Sequence, residues 1–149
     1  MRQITEIVVH CSDSDFGCAS MIRNWHVRGN GWSDIGYHFV IPNGYIQKDF
    51  YVPSCDGALE VGRPIEVAGA HARAVNRTSI GICLIGTKEF TTKQFDTLYY
   101  LLNHLIMCYN IKPSDIYGHY EVPDNGGKTC PNIEMKVLRD TLLQRRNEI

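Results

Sequence analysis

Residues 117–132, Tyr-Gly-His-Tyr-Glu-Val-Pro-Asp-Asn-Gly-Gly-Lys-Thr-Cys-Pro-Asn, hold an imidazole (His119), a thiol (Cys130) and, two residues before the thiol, an ammonium (Lys128). Imidazole and thiolate are both good zinc ligands. A nearby ammonium favours the thiolate, and a helix starting beside the cysteine would add its N-terminal dipole to that effect. Pro123, Gly126 and Gly127 suit a tight, irregular path between the two ends. The same residues also read as a buried histidine, an inert cysteine and a solvated lysine. A metal site therefore needs a third ligand from elsewhere in the chain.

Three strand-like runs place chemistry-capable residues at their ends. His10 follows the apolar run Ile7-Val8-Val9, Tyr37 and His38 open a second strand-like run, and His119 itself follows a short run ending near Tyr117. Sites in α/β sheets gather at strand ends, so residues distant in sequence can meet there. Two histidines and a thiolate make a three-ligand shell with an open fourth position, the catalytic rather than the structural pattern for zinc. A water in that position has its pKa lowered toward neutrality. No His-Glu-x-x-His is present, so spacing alone does not define the site.

The elements that must position these groups are legible from periodicity. Ile4–Val9 reads as a buried strand. Met21, Ile22 and Trp25 predict a helix over 19–28, with Gly29 at its stop. Residues 36–41 read as a strand, Pro42-Asn43-Gly44 as a turn, and Tyr45–Lys48 as the hairpin partner of that strand. Residues 50–66 read as irregular, Val67–Ala70 as a short strand leading to His71, and Ser79–Ile85 as a second buried strand ended by Gly86. Thr91 and Gln94 form a capping box ahead of a helix carrying Phe95, Leu98, Leu102, Leu105 and Tyr109 on one face, with Pro113 breaking it. Asp115–Gly118 reads as a short strand. Asn132 is expected to cap a last helix with Met135, Leu138 and Leu142 on one face. Strands interleaved with helices give an α/β fold, a central mixed sheet flanked by helices.

Composition narrows the function classes. A chain of 149 residues is one domain's length. A formal net charge of -1 gives no field to attract nucleic acid or an anionic membrane. The N-terminal residues do not form a signal peptide, and no apolar run reaches membrane-spanning length. The expectation is synthesis and folding in a cytoplasm, with any action outside it requiring delivery by something else. Of the six cysteines, Cys83 and Cys108 read as core fillers, while a bridge among Cys11, Cys18 and Cys55 is left open.

Taken together, Val-Val-His10-Cys-Ser, Gly-Tyr37-His-Phe, Gly-Ala-His71-Ala with Asn76 and Ser79-Ile-Gly-Ile, and Gly-His119-Tyr-Glu-Val with Lys128-Thr-Cys130-Pro resemble the zinc-dependent type 2 N-acetylmuramoyl-L-alanine amidases. That family includes phage endolysins, and peptidoglycan recognition proteins share its fold. The resemblance runs in the same order from about Ile7 to Pro131. It implies a single amidase catalytic domain over 1–149 with the type 2 amidase fold. It implies Zn2+ held by His10, His119 and Cys130, and Tyr37 and Lys128 as catalytic partners. The implied reaction is hydrolysis of the amide joining N-acetylmuramic acid to L-alanine in peptidoglycan, as an endolysin causing host lysis. Zinc, the Lys128 ammonium and the Tyr37 hydroxyl would stabilise the developing oxyanion. The phage branch further implies association with a phage RNA polymerase, here with only a few residues ahead of the first strand. The alternative is a noncatalytic recognition module, as in relatives lacking the zinc cysteine. A monomer is expected.

Other residues carry two readings each. His71 and Asn76 are candidate substrate contacts; otherwise His71 is an edge histidine bonded to backbone and Asn76 caps a turn. His38 alternates away from Tyr37 and reads as structural. His26 and His104 read as solvent or core histidines. Glu121 either holds His119 in place or is a solvated carboxylate. Trp32 suits sugar stacking or a core.

Overall fold

The computed structural model describes residues 1–147. Five strands form the central sheet in the order β5 (Glu60–Val61), β2 (Phe39–Ile41), β6 (Ser79–Leu84), β1 (Glu6–Cys11) and β7 (Ile116–Gly118). All neighbours run parallel except the edge strand β5. β6 lies at the centre and is buried at every position, as a continuous apolar run requires when both sheet faces are covered.

Strand alternation sorts the side chains onto two faces. Ile7 and Val9 of β1, with Ile80, Ile82 and Leu84 of β6, join one core with α2 (Thr92–Tyr109) and α3 (Met135–Asn147). Leu98, Leu102 and Leu105 of α2 and Leu138 and Leu142 of α3 complete it, each worth about 1.5–3 kcal/mol on burial. Val8, His10, Gly81 and Cys83 therefore face the other way, with His10 opposite Cys83 and Val8 opposite Gly81 in the register. That second face is covered by α1 (Ala19–Asn24), whose last turn widens into a π-type turn over Trp25–Gly29, and by loops.

The capping box holds as expected: the Gln94 amide donates to Thr91 Oγ1 at 3.0 Å and the Thr91 amide to Gln94 Oε1 at 2.9 Å. Gln94 also donates from Nε2 to the Ile41 and Ile85 carbonyls, tying α2 to β2 and to the end of β6. The helix stops at Asn110, in the left-handed region at φ 54°, three residues before Pro113.

Four expectations are corrected. The hairpin joins β3 (Asn43–Gln47) to β4 (Phe50–Asp56), turning at Lys48 and Asp49. Pro42 lies between β2 and β3, which do not pair, because β2 is already flanked by β5 and β6. Residues 50–66 thus contain two strands rather than none. Val67–Ala70 forms no strand; this segment is pinned by Ala70 donating to the Gly36 carbonyl at 3.0 Å. Asn132 is not the cap of α3, which begins at Met135. Its amide side chain is spent on the Thr87 carbonyl at 2.7 Å, with its backbone at φ 60°.

Candidate active site

His10, His119 and Cys130 converge, with one ligand atom from each within 4.8 Å of the others. β1 delivers His10 almost completely buried, at 1 % exposure. β7 ends at Gly118, and the chain turns at once into a short 3-10 turn over His119–Glu121, setting the two imidazoles with centroids 4.6 Å apart. The loop to Cys130 is stapled from inside by Asn125. Its Nδ2 donates to the Tyr120 and Val122 carbonyls, and its Oδ1 accepts from the Gly127 amide. Tyr120 donates its amide to the Cys130 carbonyl at 2.9 Å, closing the loop back on the histidine turn.

The expected source of thiolate stabilisation is corrected. α3 begins only at Met135 and not beside Cys130; the Cys11 amide donates to Cys130 Sγ at 3.0 Å. Hydrogen bonding with the Cys11 thiol, and then burial, raise the Cys130 pKa. A cation at the site is what would reverse that balance. Burial lowers the pKa of both His10 and His119, and the Lys128 ammonium lowers both further. Both imidazoles are therefore neutral near pH 7, the form that ligates metals.

Around this cluster lies a cleft of about 500 Å³ lined by Tyr37, His26, Trp32, His71 and Lys128 among others. Tyr37 is held by close backbone packing. A Cβ on Gly36 would lie 2.2 Å from the Ala70 carbonyl oxygen, so only glycine permits this approach. The Tyr37 ring sits 5.1 Å from the His10 ring. Burial first, and then the neighbouring thiols of Cys83 and Cys130, raise its pKa well above 10.0, so the phenol keeps its proton and remains a donor. Lys128 is exposed on the rim. A second lobe of about 490 Å³ adjoins the first across Trp32, His71, His119 and Lys128, and continues past Arg73, Asn76 and Asp124.

His71 and Asn76 both line this second lobe, but both His71 ring nitrogens and Asn76 Oδ1 are engaged inside the protein. Asn76 Oδ1 accepts from the His71 and Ala72 amides at 2.9 and 2.8 Å. The two His71 nitrogens meet His10 Nε2 at 2.9 Å and Ser79 Oγ at 3.2 Å. His38 is structural, as its alternation predicts. Its Nε2 donates to the Val67 carbonyl and its Nδ1 accepts from the Gly81 amide. Glu121 does not touch His119; it pairs with Arg139 at 2.7 and 3.0 Å and accepts from the Gly118 amide. His26, read as a solvent or core residue, instead accepts from the Gly36 amide at 2.9 Å and stacks near Trp32, centroids 4.6 Å apart. Helical spacing alone could not have placed it in the cleft, because the π-type turn shifts its direction. All six cysteines are free.

A mixed sheet carrying a His/His/Cys cluster near its strand ends, with a tyrosine and a lysine lining the cleft, is an arrangement suited to metal-assisted hydrolysis. Comparison with known proteins agrees: the family described as N-acetylmuramoyl-L-alanine amidase matches residues 1–133. The endolysin of Escherichia phage T7 is 34% identical over 148 residues, covering 91% of this chain and 85% of the relative. Among solved structures, the N-acetylmuramoyl-L-alanine amidase LysC from Clostridium intestinale superposes with a TM-score of 0.77 at 29% identity, covering 95% of this chain and 87% of that one. A Drosophila PGRP-LB mutant, in complex with tracheal cytotoxin, superposes with a TM-score of 0.68 at 26% identity over 88% of this chain and 76% of that one. The chain belongs to the N-acetylmuramoyl-L-alanine amidase family and is an enzyme of that class.

Proposed function

We propose that this amidase is a zinc-dependent endolysin that cleaves the amide between N-acetylmuramic acid and L-alanine in peptidoglycan. The observation that carries the zinc assignment is the meeting of His10, His119 and Cys130 within 4.8 Å. Tetrahedral zinc with bonds of about 2.0–2.3 Å separates its ligand atoms by roughly 3.5 Å, which this span accommodates. The donor set, two neutral imidazoles and a thiol, suits that metal. When bound, zinc would act as a Lewis acid and lower the pKa of a water in its open position.

The chain's own groups supply the rest. The scissile carbonyl enters between the cluster and Tyr37, whose protonated hydroxyl donates to the oxygen as negative charge develops. Lys128 brings its ammonium to the same charge from the rim. Trp32 and His26 form the wall where the first lobe meets solvent, a surface suited to a sugar ring. The second lobe leads away past Arg73 and Asp124 and would take the peptide stem. His71 and Asn76 build the wall that such a stem runs along.

The presence of Cys130 in the cluster supports catalysis over recognition alone. Delivery to the wall from the cytoplasm by a separate pore-forming protein is part of the endolysin reading. No helix among the described residues is long and apolar enough to cross a membrane. Association with a phage RNA polymerase is a separate proposal, answered by pull-down of the purified polymerase.

Metal analysis of the purified protein, run beside digestion of purified peptidoglycan with and without a chelator, tests the main reading. One zinc per chain and release of new L-alanine amino groups are expected, both lost with chelation. New reducing sugar ends at a comparable rate would overturn it, since they signal glycosidic cleavage.

A further inference from the structure

We propose that His71 is a positioning residue that fixes the tautomer of His10, holding the proton on Nε2 and leaving Nδ1 bare toward the metal; this rests on His10 being a zinc ligand. The Val75 carbonyl can only accept, so the Ser79 hydroxyl, 2.7 Å from it, must donate its hydrogen there. Ser79 Oγ then has only lone pairs to offer His71 Nε2, 3.2 Å away, so that nitrogen carries a hydrogen and donates. In a neutral imidazole the other nitrogen is then an acceptor. His71 Nδ1 therefore accepts, and its partner at 2.9 Å, His10 Nε2, donates. The series ends with His10 Nδ1 unprotonated. Among the described residues Nδ1 has no hydrogen-bond partner.

The seat for His71 is shaped for this ring. A Cβ on Gly81 would lie 2.6 Å from both Cγ and Cδ2 of His71, and one on Gly69 would lie 2.6 Å from Cδ2. Glycine at both positions lets the imidazole lie flat against the sheet. Asn76 Oδ1 pins the backbone at that point by accepting from the His71 and Ala72 amides. The fold thus spends a serine hydroxyl, an asparagine and two glycines on orienting a histidine that is itself not in the three-residue cluster. Such partners of metal-bound imidazoles orient the ring and raise its basicity, and their loss typically costs 10- to 100-fold in metal affinity.

The test is long-range nitrogen–proton NMR of the metal-free, histidine-labelled protein, which reads each ring's tautomer without any catalytic assay. His10 should show a protonated Nε2 and a bare Nδ1, and His71 the same. A wild-type His10 protonated at Nδ1 overturns the proposal. Zinc affinity by competition with a chromophoric chelator gives the second readout. His71→Phe keeps bulk but cannot accept, and should weaken zinc roughly 10- to 100-fold. His71→Gln, which can present a carbonyl oxygen to His10 Nε2, should recover part of that loss. Wild-type affinity in His71→Phe also overturns the proposal, as does equal loss in both variants. Ser79→Ala should scramble the His71 tautomer in the same spectra. If the wild-type protein binds no zinc at all, the ligand reading fails, and the tautomer spectrum still decides separately whether His71 orients His10.

Discussion

His10 and His38 are both almost completely buried, at 1 % and 0 % exposure, and both lie on the sheet where β1, β2 and β6 pass. They differ in what their nitrogens meet. Both ring nitrogens of His38 meet backbone groups, the Val67 carbonyl and the Gly81 amide, with Arg2 Nη2 also 3.1 Å from Nε2. His10 meets only another side chain, His71, and turns toward His119 and Cys130. Burial of a polar group is tolerated when its hydrogen bonds are complete. A buried histidine saturated by backbone is therefore part of the frame, whereas one left incomplete beside other soft donors is available for chemistry. The contrast extends to the cavities. The larger one, about 590 Å³ between β5 and α2, is lined by Leu59, Val61, Tyr100 and Leu105 with His38 at its edge, and none of the three clustered residues reaches it.

The sharpest way to break this comparison is to remove the thiol that makes the His10 side reactive. Cys130→Ser should lose most of its zinc and nearly all amidase activity, because a neutral hydroxyl is a far poorer ligand than thiolate. Metal analysis and wall digestion on one preparation check it; full zinc occupancy in that variant would remove Cys130 from the site.

Next in size come the groups that act on the reacting carbonyl without binding metal. Tyr37→Phe and Lys128→Ala should each keep zinc and fold but lose on the order of 100- to 1000-fold in kcat, the usual cost of one oxyanion donor. A Lys128→Ala enzyme that turns over at the wild-type rate with its zinc in place takes that residue out of the mechanism.

On the His38 side the effect should fall on stability and not on metal. Burial pushes the His38 pKa from 6.5 to about 4. The unfolded chain therefore binds the extra proton, and the stability His38 contributes is complete above pH 6.5. It is lost as pH falls toward 4, by up to about 3 kcal/mol. Denaturant titrations from pH 7 to pH 4 should show a shallower acid loss in His38→Gln than in wild type. Unchanged zinc stoichiometry at pH 7 completes the contrast, and lost zinc would mean that His38 belongs to the site after all.

The smallest change is expected at Glu121. Its bond to Arg139 lies at the protein surface, with side-chain exposures of 24% and 21%, and pairs of this kind are worth about 1 kcal/mol or less. Glu121→Gln should shift unfolding slightly and leave zinc affinity untouched. A tenfold fall in that affinity would restore Glu121 as a support for His119.

Elements whose signal is local are readable from the chain alone. The Thr91/Gln94 box, the apolar faces of α2 and α3, and the runs that became β1 and β6 all follow from periodicity and capping within a few residues. The candidate ligands were also legible, because His10, His119 and Cys130 stand at strand ends or in a turn-rich loop and match a family pattern in order. Which partners those residues meet depends on the folded arrangement. That β2 pairs with β6 and β5, so the hairpin falls to β3 and β4, depends on edges supplied from distant parts of the chain. The same holds for Asn132 reaching Thr87 and for the Cys11 amide, not a helix dipole, facing Cys130. It holds most clearly for His71, whose two nitrogens find their partners at His10 and Ser79 through the register of β1 against β6. Hydrogen-bond direction is a property of three-dimensional neighbours, and no spacing along the chain encodes it.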